Sequence, residues 1–151
     1  MVWRLTRTYR WVRNRIDELE PVLLPSERFI LVFGFIEKVV RRTFVHICMR
    51  KGMTEAQAVA QSKTLSLMDL NGEWRHVAGK TLREVIQKKA WKQIHRGAEL
   101  RNELIHGRGH KDQRIYREAV EGLLGMLDDM RGVFSSEYGY SGWQKRKQRR
   151  K

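Results

Sequence analysis

The spacing of apolar residues predicts helices along most of this chain. Before Pro21 the apolar side chains recur every three or four positions, as on one face of a helix. They are Leu5, Tyr9, Val12, Ile16 and Leu19. Proline cannot continue a helix that precedes it. We therefore predict a first amphipathic helix over residues 2–20.

A second pattern, over residues 27–50, is apolar around most of its circumference, which is typical of a central helix. Its apolar positions are Phe29, Ile30, Phe33, Ile36, Val39, Val40, Phe44 and Ile47. Ser26 is suited to cap its start and Gly52 to close its end. Glu37 interrupts the apolar surface, so its carboxylate needs a hydrogen-bonding or cationic partner. We favour a structural ion pair, and the alternative is a carboxylate that faces a functional site.

The middle of the chain contains two sequence signatures of helix starts. Residues 54–57, Thr-Glu-Ala-Gln, form a capping box for a short third helix. Residues 81–84, Thr-Leu-Arg-Glu, form a second one, and the helix that they start reaches His106 before Gly107 breaks it. Between these boxes, Asn71 and Gly72 indicate a turn or a short helical piece within residues 65–80.

The last predicted helix follows Asp112, which is suited to cap it. Its apolar stripe consists of Ile115, Ala119, Val120, Leu123, Leu127, Met130 and Phe134. Residues 137–151 are expected to form a basic, flexible tail. The pattern thus predicts one all-α domain over residues 1–136, a bundle of four to five helices with its core at about 26–134.

Net charge is the strongest global feature of the composition. The 151 residues contain 31 lysines and arginines but 17 acidic residues, a formal net charge of +14. Such an excess of positive charge concentrates polyanions near the protein. Nucleic acid is therefore the favoured partner, ahead of an anionic membrane surface or an acidic protein.

Cysteine content and hydropathy indicate in which cellular compartment the protein resides. Cys48 is the only cysteine, so no disulfide can form within the chain, which fits a reducing environment. The first residues carry several arginines in place of an apolar signal region, and the longest apolar stretch, 29–36, is too short to span a bilayer. We expect a cytoplasmic protein without membrane partners.

Two tempting cofactor signals are incomplete. Gly79-Lys80-Thr81 lacks the earlier glycine of a phosphate-binding loop, because Trp74 occupies that position. His106 and His110 have the spacing of a helical metal site, but glycines lie between them. We predict no metal and no cofactor.

Residues 101–107, Arg-Asn-Glu-Leu-Ile-His-Gly, are different. Asn102 and His106 are four positions apart and share a helix face, whereas Arg101 reaches a ligand only from the neighbouring surface. Histidine exchanges protons near neutral pH, and arginine matches phosphate oxygens. RNA carries its own nucleophile, the 2′-hydroxyl, so a base, an acid and a cation suffice to cleave it.

This stretch resembles the signature of the HEPN superfamily, which is Arg, then four to six residues, then His, often with a polar residue directly after the Arg. Arg101, Asn102 and His106 match its shortest form. The resemblance implies a compact helical bundle and a two-fold homodimer whose motifs share one cleft. It also implies a metal-independent ribonuclease, with Arg101, Asn102 and His106 as catalytic residues. Many members are toxins of toxin–antitoxin or antiviral systems, so an antitoxin or regulatory protein is an implied partner. Glu37 is the implied accessory acid from an early helix.

Other basic residues are candidates for binding RNA. They are Arg96, Arg108, His110 and Lys111 around the motif, and Arg4 and Arg7 in the first helix. A second Arg-x4-His spacing, from Arg41 to His46, lies mid-helix, where its two ends point to different faces. Two readings compete with the nuclease: a non-catalytic RNA- or nucleotide-binding module, and a helix that docks into the groove of an acidic protein.

Overall fold

The computed structural model describes residues 14–18, 21–140 and 142, and within them it is all helical. Five helices have both ends described: α1 Pro25–Arg50, α2 Glu55–Thr64, α3 Leu67–Ala78, α4 Leu82–Ile105 and α5 Arg114–Tyr138. Residues 14–18 are helical as well, with Ile16 buried. The predicted all-α class is confirmed for this part of the chain. The rest of the predicted first helix lies outside the described residues.

Helices α1 and α5 form the centre of the bundle and run in the same direction. At one end the Ser26 N–H donates to the Gln113 side chain at 3.0 Å, and at the other Arg50 donates to the Tyr138 carbonyl at 3.0 Å. Between these ends the two helices bury a continuous apolar core. Its fully buried members include Phe29, Phe33, Phe44, Val120, Leu123 and Phe134.

Helix α4 packs across α1 at a point where only glycine fits. A Cβ atom on Gly97 would lie 2.6 Å from the Phe33 ring, far inside van der Waals contact. The missing side chain therefore lets the Phe33 ring lie directly against the α4 backbone. This crossing brings the last turns of α4 beside Phe33 and Glu37.

Helix α4 is also kinked near its start. Gln87 has φ 72° and ψ 163°, a conformation that L-residues with a side chain avoid. The straight part of α4 therefore begins at Lys88. Nothing in the sequence pattern marks this kink, because the residue there is not glycine.

The helix within residues 65–80 is longer than the turn or short helical piece that the sequence predicted. The segment forms the twelve-residue helix α3, which Ser66 caps by accepting the Asp69 N–H at 3.0 Å. Trp74 is fully buried between Phe44 and Phe134, at ring-centroid distances of 5.8 and 5.6 Å. Burial of this indole stabilises the helix by more than its internal asparagine and glycine cost.

Two of the predicted caps were one or two residues off. Leu24 precedes the first residue of α1, where Pro25 stands, and Gln113 precedes the first residue of α5. Asp112 still accepts the Arg114 N–H at 3.0 Å. The capping box at Thr54 is confirmed.

The second predicted box is half formed. The Thr81 hydroxyl accepts the Glu84 N–H at 3.2 Å, but the Glu84 carboxylate binds that hydroxyl and Arg75 instead of the Thr81 backbone. Thr81 therefore caps α4 alone.

The end of α5 lies beyond the predicted domain boundary at residue 136. The helix continues to Tyr138, and Tyr140 is buried with its ring stacked on His46 at 4.4 Å. The folded part therefore reaches at least Tyr140. No helix of the described residues is long and apolar enough to cross a membrane.

Candidate functional site

Asn102 and His106 lie on one exposed face at the end of α4. His106 caps the helix, and its N–H donates to the Asn102 carbonyl at 3.1 Å. Gly107, with φ 69°, then turns the chain away, as is common one residue after a helix end. The His106 ring makes no hydrogen bond or ion pair with any residue that the structure describes. Both ring nitrogens are therefore open to a ligand.

The Arg101 side chain lies apart from that face. Its guanidinium carbon is 4.9 Å from the centroid of the Phe33 ring, in a cation–π contact, and it forms an ion pair with Glu37. Only 28% of the side chain is exposed. Arg101 therefore packs between α4 and α1 and also contributes to the fold.

Glu37 joins two arginines. Its Oε1 accepts from Arg41 Nε and Nη2 at 3.0 Å each, and its Oε2 accepts from Arg101. Arg41 also donates to the Ser62 carbonyl. The Glu37 side chain is 18% exposed, so this is the ion pair predicted for an acid within an apolar surface. The same carboxylate is in contact with the motif arginine.

Arg101 and His106 point in different directions. Five residues at about 100° per residue place the two side chains about 140° apart around α4. Arg41 and His46 have the same spacing, and their side chains likewise point to different faces of a helix. Within a single chain, Asn102 and His106 therefore share one face of α4, and Arg101 points instead toward Glu37.

A second histidine, beside the motif, has a carboxylate partner that the sequence did not reveal. His110 Nε2 lies 2.8 Å from Glu103 Oε2, and the His110 N–H donates to the Tyr116 hydroxyl at 2.7 Å. A carboxylate in this position orients an imidazole. The loop closes through the Arg108 N–H, which donates to the Glu103 carbonyl at 2.7 Å. Glu103 and His110 are seven residues apart with a loop between them, so helical spacing could not predict their contact.

The other residues predicted to bind RNA are dispersed. Arg96 forms an ion pair with Glu99 at 3.4 Å, and Arg108 and Lys111 are exposed on the loop after α4. Arg4 and Arg7 lie outside the described residues. Next to Lys111, hydrogen bonds from Arg114 lower the pKa of Asp112, so this carboxylate stays charged at neutral pH.

The described residues contain no group of three or more His, Cys, Asp or Glu side chains arranged to hold a metal ion. Cys48 is buried, and burial raises the pKa of its thiol, which keeps it protonated and unreactive at neutral pH.

No family model matches this chain, and no curated protein or solved structure is detectably similar to it. The resemblance to the HEPN superfamily therefore rests on residues 101–107 and on the order of the helices.

Proposed function

We propose that this protein is a metal-independent endoribonuclease of the HEPN type, in which His106 transfers protons and Asn102 holds the substrate. The observation that carries the proposal is the exposed His106 ring, which has no hydrogen-bond or ion-pair partner among the described residues, beside Asn102, in a chain of net charge +14. An accessible imidazole is suited to proton transfer near neutral pH. A cationic surface holds the polyanion beside it.

The reaction needs only groups that the RNA and the protein carry. His106 accepts the proton of a 2′-hydroxyl, the resulting oxygen attacks the adjacent phosphorus, and the bond to the 5′-oxygen breaks. The leaving oxygen takes up a proton. The products are a 2′,3′-cyclic phosphate and a 5′-hydroxyl. Arg101 is held by Glu37 and points away from His106, so it supplies positive charge to the phosphate only after it leaves that ion pair.

A homodimer is part of this proposal, because proton removal and proton donation use two groups. Two copies of His106 around a two-fold axis supply a base and an acid. Ile30 and Ile105, which are 45% and 68% exposed, offer apolar area for a second copy to cover. Ile105 is the last residue of α4, directly before His106, and Ile30 follows Phe29, whose ring packs on Tyr116.

The biological setting is proposed from the family resemblance alone. It suggests the toxin of a toxin–antitoxin or antiviral system, acting on RNA in the cytoplasm. An antitoxin or regulatory protein would then restrain the nuclease.

The test is incubation of the purified protein with mixed RNA in excess EDTA, beside His106→Ala and His76→Ala. His76 is the matched control, since it is exposed on α3, outside the motif. We expect cyclic-phosphate fragments from the wild type and from His76→Ala, and none from His106→Ala. Equal cleavage by His106→Ala would refute the assignment of the base.

A second candidate is a non-catalytic RNA- or nucleotide-binding module. The observation that favours it is the direction of Arg101, whose side chain is engaged by Glu37 and points away from His106. In that case the same incubation leaves RNA intact, while the protein still retards it on a native gel.

A further inference from the structure

The exposed face of α4 carries a line of polar residues that ends at His106. From Lys88 onward, residues three and four apart stay within about 40° of one direction around the helix. These residues are Lys88, Lys92, His95, Glu99, Asn102 and His106, and all are exposed. We call this line the α4 track. At 1.5 Å per residue it is about 27 Å long.

The first part of the α4 track is a block of uncompensated positive charge. Lys88, Lys89 and Lys92 make no ion pair or hydrogen bond with the residues that the structure describes. Glu84 is four residues before Lys88, the usual spacing of a helical ion pair. Its carboxylate binds Arg75 instead, at 3.0 Å. This interaction leaves the lysines available to an external anion.

Glu99, the acidic residue in the middle of the α4 track, already has two basic neighbours. Glu99 lies 3.4 Å from both His95 and Arg96. Its negative charge is thus offset locally, so the track does not present an acidic barrier between Lys92 and Asn102.

A shallow groove of about 460 Å³ continues the track at the end away from His106. Arg75, Glu84, Arg83 and Lys88 are among the residues that line it, between α3 and α4. Because Arg75 and Glu84 pair with each other, Arg83 and Lys88 supply its net positive charge. Trp91, directly before Lys92, is half-buried and packs against the core. A line of cations that follows the backbone is a feature that holds a single strand without reading its sequence.

We infer that the α4 track binds a single-stranded stretch of RNA, which runs from the cleaved bond at His106 to the groove beside Lys88. This inference deepens the proposed function and rests on it for the position of the cut. A single strand fits because attack by a 2′-hydroxyl needs a backbone free to align with the leaving oxygen. RNA that extends several nucleotides to one side of the cut gains contacts that shorter RNA lacks.

The test compares Lys88→Gln/Lys92→Gln with Lys51→Gln/Lys63→Gln, which removes two exposed lysines outside α4. Affinity for 2′-O-methyl RNA, which cannot be cleaved, is measured at several salt concentrations. Each single-strand phosphate contact adds about 0.7 to the slope of log affinity against log salt, so the α4 variant should lose about 1.4. The control should keep the wild-type slope.

Cleavage separates this inference from the proposed function. A dinucleotide carries only the bond that is cut and is too short to reach Lys92 from His106, whereas RNA of about 30 nucleotides exceeds the site sizes of single-strand binders. The α4 variant should cut the longer RNA more slowly than the wild type does and the dinucleotide at the same rate. Wild-type slope and wild-type cleavage of the longer RNA by the α4 variant would overturn the track and leave the nuclease standing. A reduced slope without cleavage by the wild type would support RNA binding along α4 and refute the nuclease.

Discussion

At the scale of single residues, the motif divides into an exposed part and a packed part. Asn102 and His106 meet solvent, whereas Arg101 lies on Phe33 and binds Glu37. A variant of Arg101 therefore changes packing and charge as well as any contact with RNA. His106 gives the cleaner test of chemistry, because its ring supports no other described residue.

Glu37→Gln is predicted to destabilise the fold. It leaves the guanidinium groups of Arg41 and Arg101 close together without the carboxylate that both bind. We expect the free energy of unfolding to fall by about 1–3 kcal/mol, measured by urea denaturation. Glu121→Gln, on the exposed surface of α5, should change it by less than about 0.5 kcal/mol. An unchanged denaturation midpoint for Glu37→Gln would mean that the ion-pair cluster contributes no stability.

At the scale of elements, α4 connects most of the features discussed above. Its first turns pair with α3 through Arg75 and Glu84, Gly97 sets its crossing with α1, and its end presents His106. The kink at Gln87 separates the turns packed on α3 from the straight part. The direction of the α4 track therefore depends on a strained residue.

Gln87→Gly is predicted to stabilise the protein. Glycine adopts φ 72° and ψ 163° without a steric clash, and this gain of about 1–3 kcal/mol exceeds the entropic cost of about 0.5–1 kcal/mol. A rise in the thermal midpoint is expected for Gln87→Gly. Gln87→Ala, which keeps a Cβ atom, should show no such rise. A loss of stability in the glycine variant would instead indicate ordinary helical backbone at this position.

At the scale of the whole molecule, charge and exposed apolar area point to different partners. The lysines of α4 suit a polyanion, whereas Ile30 and Ile105 suit a second copy of the chain. Ile105 directly precedes His106, where the α4 track ends, so the two surfaces meet at this end of α4.

The dimer predicts a mass in solution of twice the 18.0 kDa of one chain. Light scattering coupled to size-exclusion chromatography measures it directly. Ile105→Lys, which places charge on a side chain that is 68% exposed, should shift the mass toward one chain. Ser136→Lys, on an exposed position of α5, should not. A wild-type protein with the mass of one chain would refute the dimer and with it the shared pair of histidines.

The sequence by itself determined the helical class, most helix ends and the helix face that Asn102 and His106 share. Apolar spacing, capping residues and Gly107 act within a few residues of one another, so they can be interpreted without the fold. The length of α3 could not be predicted, because it depends on the burial of Trp74 against two distant helices. The partners of Arg101 and His110 were likewise decided by tertiary structure. Glu37 is 64 residues from Arg101, and Glu103 reaches His110 only because the loop after α4 folds back.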